Sequence, residues 1–152
     1  MFLRIDNLAD RLEDIELIKK WLTQSQISEL LTKYCTHVSL NKNNKFNIPM
    51  ILIALLDEVP VGTISLLSDS MIKDNKYTPW IANMFVAEDK RNMGIGTYMH
   101  NYLIEEALTM GYEKLYVSTH QDEFFERLGW TYKETAITIL GNETNLYVKE
   151  LE

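Results

Sequence analysis

The feature that restricts this chain most is the junction PWIANMFVAEDKRNMGIGTYMHNYL, residues 79–103. Pro79 to Val86 is a largely apolar run of strand length, which predicts a central strand with both faces covered. After two glycines one residue apart, Ile95, Tyr98, Met99, Tyr102, Leu103, Ala107 and Met110 recur at helical spacing, and Gly111 is the natural stop. A central strand therefore feeds a helix through a glycine turn, with Lys90 and Arg91 just before it.

The rest of the chain builds a sheet around that junction. FLRI reads as an opening strand, and Leu8, Leu12, Ile15, Ile18 and Leu22 mark a first amphipathic helix. Ile27, Leu30, Leu31, Tyr34, Cys35 and Val38 mark a second, with Thr23–Gln26 as the break and Asn41–Asn47 as a polar loop after it. Met50–Leu56 and Val61–Leu67 flank a short DEVP turn and predict an antiparallel hairpin. Lys114–Thr119 is a further strand, DEFFERLG a helix of one or two turns, and Thr131–Leu140 with Asn145–Leu151 a last hairpin around GNET. The predicted order, β–α–α–β–β–β–α–β–α–β–β, is a mixed α/β sheet with helices on both faces.

At 152 residues, 46 % of them hydrophobic, the chain is expected to form one domain over residues 1–152. It has no long uncharged apolar run and no signal-peptide pattern, and its lone Cys35 lies on a helical stripe; a cytoplasmic protein is expected. A net charge of −7 argues against nucleic acid as a partner and favours a cationic one. Three scattered histidines and one cysteine form no metal-ligand cluster, so no metal is expected; His37 and His100 read as surface or packing residues.

At the start of a helix the first N–H groups have no intrahelical partner and the dipole adds positive charge, so the turn suits an anion. Glycine lets ligand oxygens approach the backbone, and Arg91 adds a charge-assisted contact. A Walker loop has no match here, and the dinucleotide fingerprint fails because Met99 stands where its third glycine belongs.

Arg91, Gly94 and Gly96 occupy the three fixed places of [QR]-x-x-G-x-[GA], the acyl-CoA loop of the GNAT superfamily, the GCN5-related N-acetyltransferases, which this stretch resembles. PWIANMFVAEDKRNMGIG resembles the longer form of that loop in one branch, and THQDEFFERLGW resembles the same branch's later segment. The order of elements agrees over nearly the whole chain. The resemblance implies an α/β (α+β) fold: a mixed, mostly antiparallel sheet of about seven strands, flanked by helices on both faces, with a V-shaped gap between two central parallel strands, Trp80–Val86 and Lys114–Thr119. It implies acetyl-CoA as co-substrate and an amine as acceptor. The pantetheine arm would bond to Met84, Phe85 and Val86. The pyrophosphate would sit on the amides of Arg91, Asn92, Met93, Gly94, Ile95 and Gly96, with Thr97 nearby and Arg127 beside it. A bulge in the first gap strand would leave the N–H of Phe85 or Val86 facing the thioester oxygen, where it stabilises developing negative charge.

The resemblance also exposes a departure. Many family members carry FYEKLG, whose tyrosine protonates the leaving thiolate; here FFERLG puts Phe125 in that place, without a proton to give. The thiolate then leaves unprotonated, takes a proton from water, or takes one from His120, an imidazole being able to serve as acid or base near neutrality. For the base that deprotonates the amine, Asp69 and Glu88 are the candidates, beside a water relay needing no dedicated group. The first expectation is an N-acetyltransferase acting on a small cationic amine, a peptide N-terminus or a lysine, as monomer or homodimer. The alternative, which Phe125 feeds, is a CoA-binding sensor of the same fold with little turnover.

Overall fold

The protein is described by a computed structural model over residues 2–22 and 47–151. The predicted helix on Ile27–Val38, the break before it, Cys35, His37 and most of the polar loop lie outside the described residues. The chain opens with β1 (Leu3–Asn7), two 3-10 turns (Leu8–Asp10 and Leu12–Asp14) and α1 (Ile15–Leu22). Next come β2 (Met50–Leu56), β3 (Val59–Leu67), β4 (Trp80–Val86), α2 (Ile95–Thr109), β5 (Lys114–Thr119), α3 (Asp122–Arg127), β6 (Thr131–Ile137) and β7 (Glu143–Glu150).

The strands form one seven-stranded sheet in the order β1-β2-β3-β4-β5-β7-β6. Every neighbouring pair is antiparallel except β4 with β5, which run parallel. Alternation along β2 explains the two layers of core. Met50, Leu52, Ala54 and Leu56 share a cluster with Ile95, Met99, Leu103 and Ala107 of α2 and with Phe125 of α3. Ile51 and Ile53, on the opposite face, pack with Leu8 and Ala9 of the first 3-10 turn and Ile18 of α1. Helices therefore cover both faces, as the sequence predicts.

Three of the boundaries that differ from expectation have a clear local reason. The first helix is delayed to Ile15: the Asn7 side chain accepts from the Ala9 amide at 2.9 Å to start a separate 3-10 turn, and Arg11, at φ −141°, breaks the run. The DEVP turn is only Asp57–Glu58, both at positive φ (49° and 71°), the backbone of a two-residue hairpin turn, so β3 begins at Val59. The last hairpin's first arm stops at Ile137, because the Gly141 amide bonds to the Thr138 carbonyl at 2.9 Å and closes a turn. No described helix is long and apolar enough to cross a membrane.

Candidate active site

Between β4 and β5 the sheet opens. Their pairing consists of Trp80 against Tyr116 and Ile81 against Val117, and ends there. Beyond it β4 carries a bulge: Thr63 faces Phe85 and Ser65 faces Ala82, so Asn83 and Met84 together oppose Ile64. Asn83 sits at φ +53°, the left-handed region that permits this kink. The bulge turns the last stretch of β4 away from β5, and Met84, Phe85 and Val86 then line a cavity of about 630 Å³.

The loop after β4 forms the cavity's second wall. Glu88–Lys90 makes one 3-10 turn, Arg91 is extended, and Asn92 and Gly94 take positive φ (64° and 80°) before α2 begins. Tyr98 makes the first bond back along the helix, to the Gly94 carbonyl at 3.0 Å. The amides of Ile95, Gly96 and Thr97 precede it and have no intrahelical acceptor, and all three residues line the cavity, as do Asn92 and Gly94. Gly96 supplies a test of fit. A Cβ there would stand 3.7 Å from Phe124 Cζ and 3.9 Å from Val86 Cγ2, occupying space that the glycine leaves to the cavity.

The third wall is α3, which contributes Phe124 and Arg127, with Gln121 just before it. The helix is tied to β7 at both ends: Asn145 Nδ2 donates to Asp122 Oδ2 at 2.8 Å, and the Tyr147 hydroxyl donates to Glu126 Oε2 at 3.2 Å. Burial and these two carboxylates push the Tyr147 hydroxyl up to about 12, so it stays a donor at physiological pH. Lys90, Arg91 and Arg127 give the lining three cationic side chains, and among the described residues no acidic one lines it. Arg91 Nε donates to the Val86 carbonyl at 2.9 Å, and its guanidinium lies 5.5 Å from the centre of the Phe85 ring. That contact fixes a charge at the point where strand passes into loop. The arrangement suits an elongated ligand with an anionic end: a strand edge for its length, helix amides and guanidinium for its charge.

Ten of the eleven residues expected at the cofactor line this one cavity. Met93 does not; it is 45 % exposed beside the turn. Lys90, Gln121 and Phe124 join the lining without having been among the expected contacts. The expected acid–base groups are not gathered there. His120 is exposed at the end of β5, next to Gln121 but outside the lining. Glu88 is exposed in the 3-10 turn, and Asp69 is exposed with its Oδ1 accepting from the Ser70 amide at 2.8 Å and Asn75 Nδ2 at 2.6 Å. Phe125 faces the core, 3 % exposed, and its neighbour Phe124 takes the cavity wall. Trp80 is fully buried, its indole donating to the Tyr77 carbonyl at 2.7 Å, a packing role.

The fold and site define a class: an α/β domain whose sheet splits between parallel strands, beside a helix N-terminus whose first amides line the opening. The family model for acetyltransferases of the GNAT family matches residues 15–130, and the chain belongs to that family, whose members use acetyl-CoA. Solved structures agree in fold. The chain is similar to an N-acetyltransferase from Staphylococcus aureus Mu50, with TM-score 0.75 at 15 % identity over 100 % of both chains. It is similar to a GNAT-family acetyltransferase from Streptococcus pneumoniae, with TM-score 0.69 at 15 % identity over 99 % of this chain and 100 % of that one. It also resembles an aminoglycoside 6'-N-acetyltransferase complexed with coenzyme A, with TM-score 0.69 at 17 % identity over 99 % of this chain and 97 % of that one. Among curated proteins, none matches the sequence significantly.

Proposed function

We propose that this protein transfers the acetyl group of acetyl-CoA directly to a primary amine, either a small cationic amine or a peptide N-terminus or lysine. The observation that carries the reading is the single cavity that joins the unpaired end of β4 to the free amides of α2 under three cationic side chains. In this reading the pantetheine arm runs along Met84–Val86 and the pyrophosphate rests on residues 91–97, with Lys90, Arg91 and Arg127 meeting its charge. A backbone N–H of Phe85 or Val86, fixed by the bulge at Asn83, polarises the thioester carbonyl. The attacking amine must be neutral, and a lysine-like amine near pKa ~10.4 is almost fully protonated at neutral pH. Its proton leaves to water or through an exposed carboxylate, Asp69 or Glu88. His120, next to the cavity, passes a proton to the departing thiolate, a task that Phe125 cannot perform.

A net charge of −7 supports a cationic acceptor. Two of the structural relatives are aminoglycoside 6'-acetyltransferases, and aminoglycosides are polycationic amines. The test has two arms. Adding CoA is expected to raise the melting temperature, because a ligand that binds only the folded state stabilises it. Thiol release from acetyl-CoA is then followed with a panel of polyamines, aminoglycosides and short peptides; release with one class identifies the acceptor. CoA binding with no release across the panel overturns the transferase reading in favour of a sensor. The absence of any CoA-induced stabilisation overturns the cavity assignment itself.

A further inference from the structure

Behind the cavity wall lies a buried polar pair. His100, on α2, is 1 % exposed and sits among aromatic rings: Phe124 and Phe125 of α3, each 6.4 Å away between ring centres, and Trp130 just after α3, at 6.0 Å. Trp130 Nε1 lies 2.9 Å from His100 Nε2. An indole N–H only donates, so Nε2 is the acceptor and the imidazole proton belongs on Nδ1, which stands 2.9 Å from Asn101 Oδ1 and donates to it. The neutral ring is thus satisfied at both nitrogens. One layer further out, the Phe124 ring stands at 89° to the His100 ring, and its distal Cζ lies beside Gly96 in the cavity lining. His100 touches no part of the cavity; it stands directly behind the side chain that does.

We propose that neutral His100 is a positioning residue for the coenzyme cavity: by accepting the Trp130 indole N–H it locks α3 onto α2 and holds Phe124 as a wall, and its protonation releases that wall and weakens coenzyme binding. The inference rests on the reading of the cavity as a CoA site. The chemistry is specific to the acceptor. An imidazolium has donors at both nitrogens, so it cannot receive the indole proton, and two N–H groups would point at each other inside a desolvated aromatic cage. The groups around the ring resist the charge. Burial pulls His100 below its ordinary 6.5, and Lys149 of β7 pushes the same way; only the bond to neutral Asn101 favours the charged form. From α3 the ring meets Phe124 and Phe125, while the carboxylate of Glu126 is engaged by Tyr147. Protonation is therefore deferred below the ordinary imidazole range, and there the pair opens.

The experiment is titration calorimetry with CoA, from about pH 8 down to the lowest pH at which the proteins stay folded, on the wild type and on His100→Leu, His100→Gln and Trp130→Phe. Glutamine offers a neutral acceptor near the place of Nε2 at every pH, whereas leucine offers none. At pH 8, His100→Leu is expected to bind CoA about fivefold more weakly than wild type, and His100→Gln to recover most of that loss, the scale of one neutral hydrogen bond. Because a phosphate monoester such as that of CoA titrates near pH 6 itself, the deciding quantity is the difference between profiles. The wild type is expected to lose about fivefold more affinity on acidification than His100→Gln or Trp130→Phe. The indole proton resonance that Trp130→Phe deletes gives an independent signature. It should shift with pH in the wild type and stay fixed in His100→Gln. Superimposable pH profiles in wild type and His100→Gln overturn the proposal, as does a glutamine variant no better than leucine, which would make the role one of packing alone. A folded wild type that fails to bind CoA at pH 8 overturns the cavity reading and this one's binding step together; CoA binding with unaltered profiles overturns only this one.

Discussion

The two ends of β4 are treated in opposite ways. At its start, Trp80 and Ile81 pair with β5, and Tyr77, Trp80 and Tyr116 close over the junction, Tyr77 and Tyr116 stacking at 4.8 Å between ring centres. At its end, past the bulge at Asn83, the strand loses β5 and borders a cavity rimmed by Lys90, Arg91 and Arg127. Parallel strands are ordinarily buried and continuously paired. Here one half of the pair is sealed with aromatic area and the other is left unpaired, so that the seal fixes the angle at which the gap opens. Stability and ligand binding should accordingly separate along a single strand.

Mutations at the two ends test that separation. Trp80→Ala removes a fully buried ring and the bond to the Tyr77 carbonyl, and should lower unfolding free energy by about 3–5 kcal/mol in urea denaturation. Arg91→Ala should do the reverse. Its side chain is exposed, so stability stays within about 0.5 kcal/mol, while calorimetry with CoA shows affinity lower by about tenfold, the worth of a charge-assisted contact. Equal losses of stability from both would break the comparison. Gly94→Ala comes between them. Its Cβ meets nothing within 4 Å, but φ +80° at the start of α2 is strained for alanine, and a melting curve should show a loss of about 1 kcal/mol with a smaller fall in CoA affinity than Arg91→Ala gives.

Much of this was legible in the sequence, because it rests on period and on local turn chemistry. The apolar run Pro79–Val86, the glycines at 94 and 96 and the stripe from Ile95 onward are contiguous in the chain, so strand, turn and helix could be read in order. What was not legible depends on the direction of single side chains. Met93 lies inside the loop motif yet points its bulk to solvent, and Gln121 and Phe124 join the cavity because of how α3 is rolled against β7. Two adjacent phenylalanines look alike in sequence; only the packing shows that Phe124 forms the wall and Phe125 the core. His100 and Trp130 are separated by thirty positions, and nothing local to either announces their hydrogen bond. The bulge was expected only from the family resemblance, and its place was not legible: Asn tolerates positive φ, but no pattern in IANMF says that Asn83 adopts it.

The smallest expected effect is also the sharpest test of that core assignment. Phe125→Tyr restores the residue that many family members carry in this place. If its hydroxyl reached the sulfur of a bound thioester, general acid catalysis would raise kcat by about a hundredfold or more. The structure argues otherwise, because the ring is 3 % exposed, does not line the cavity, and lies edge-to-face against Phe124 and Trp130 at 5.1 and 5.4 Å. Around it the described polar side chains are already committed, His100 to Trp130 and Asn101. A new hydroxyl there lacks a partner, and the variant should melt at lower temperature by the equivalent of about 1 kcal/mol. Its kcat with the best acceptor should stay within about twofold of wild type, since a thiolate whose free thiol titrates near pKa ~8.5 departs without that acid. A large rise in kcat would instead move Phe125 from the core side of α3 to the cavity side, and with it the boundary between the sealed and open parts of the molecule.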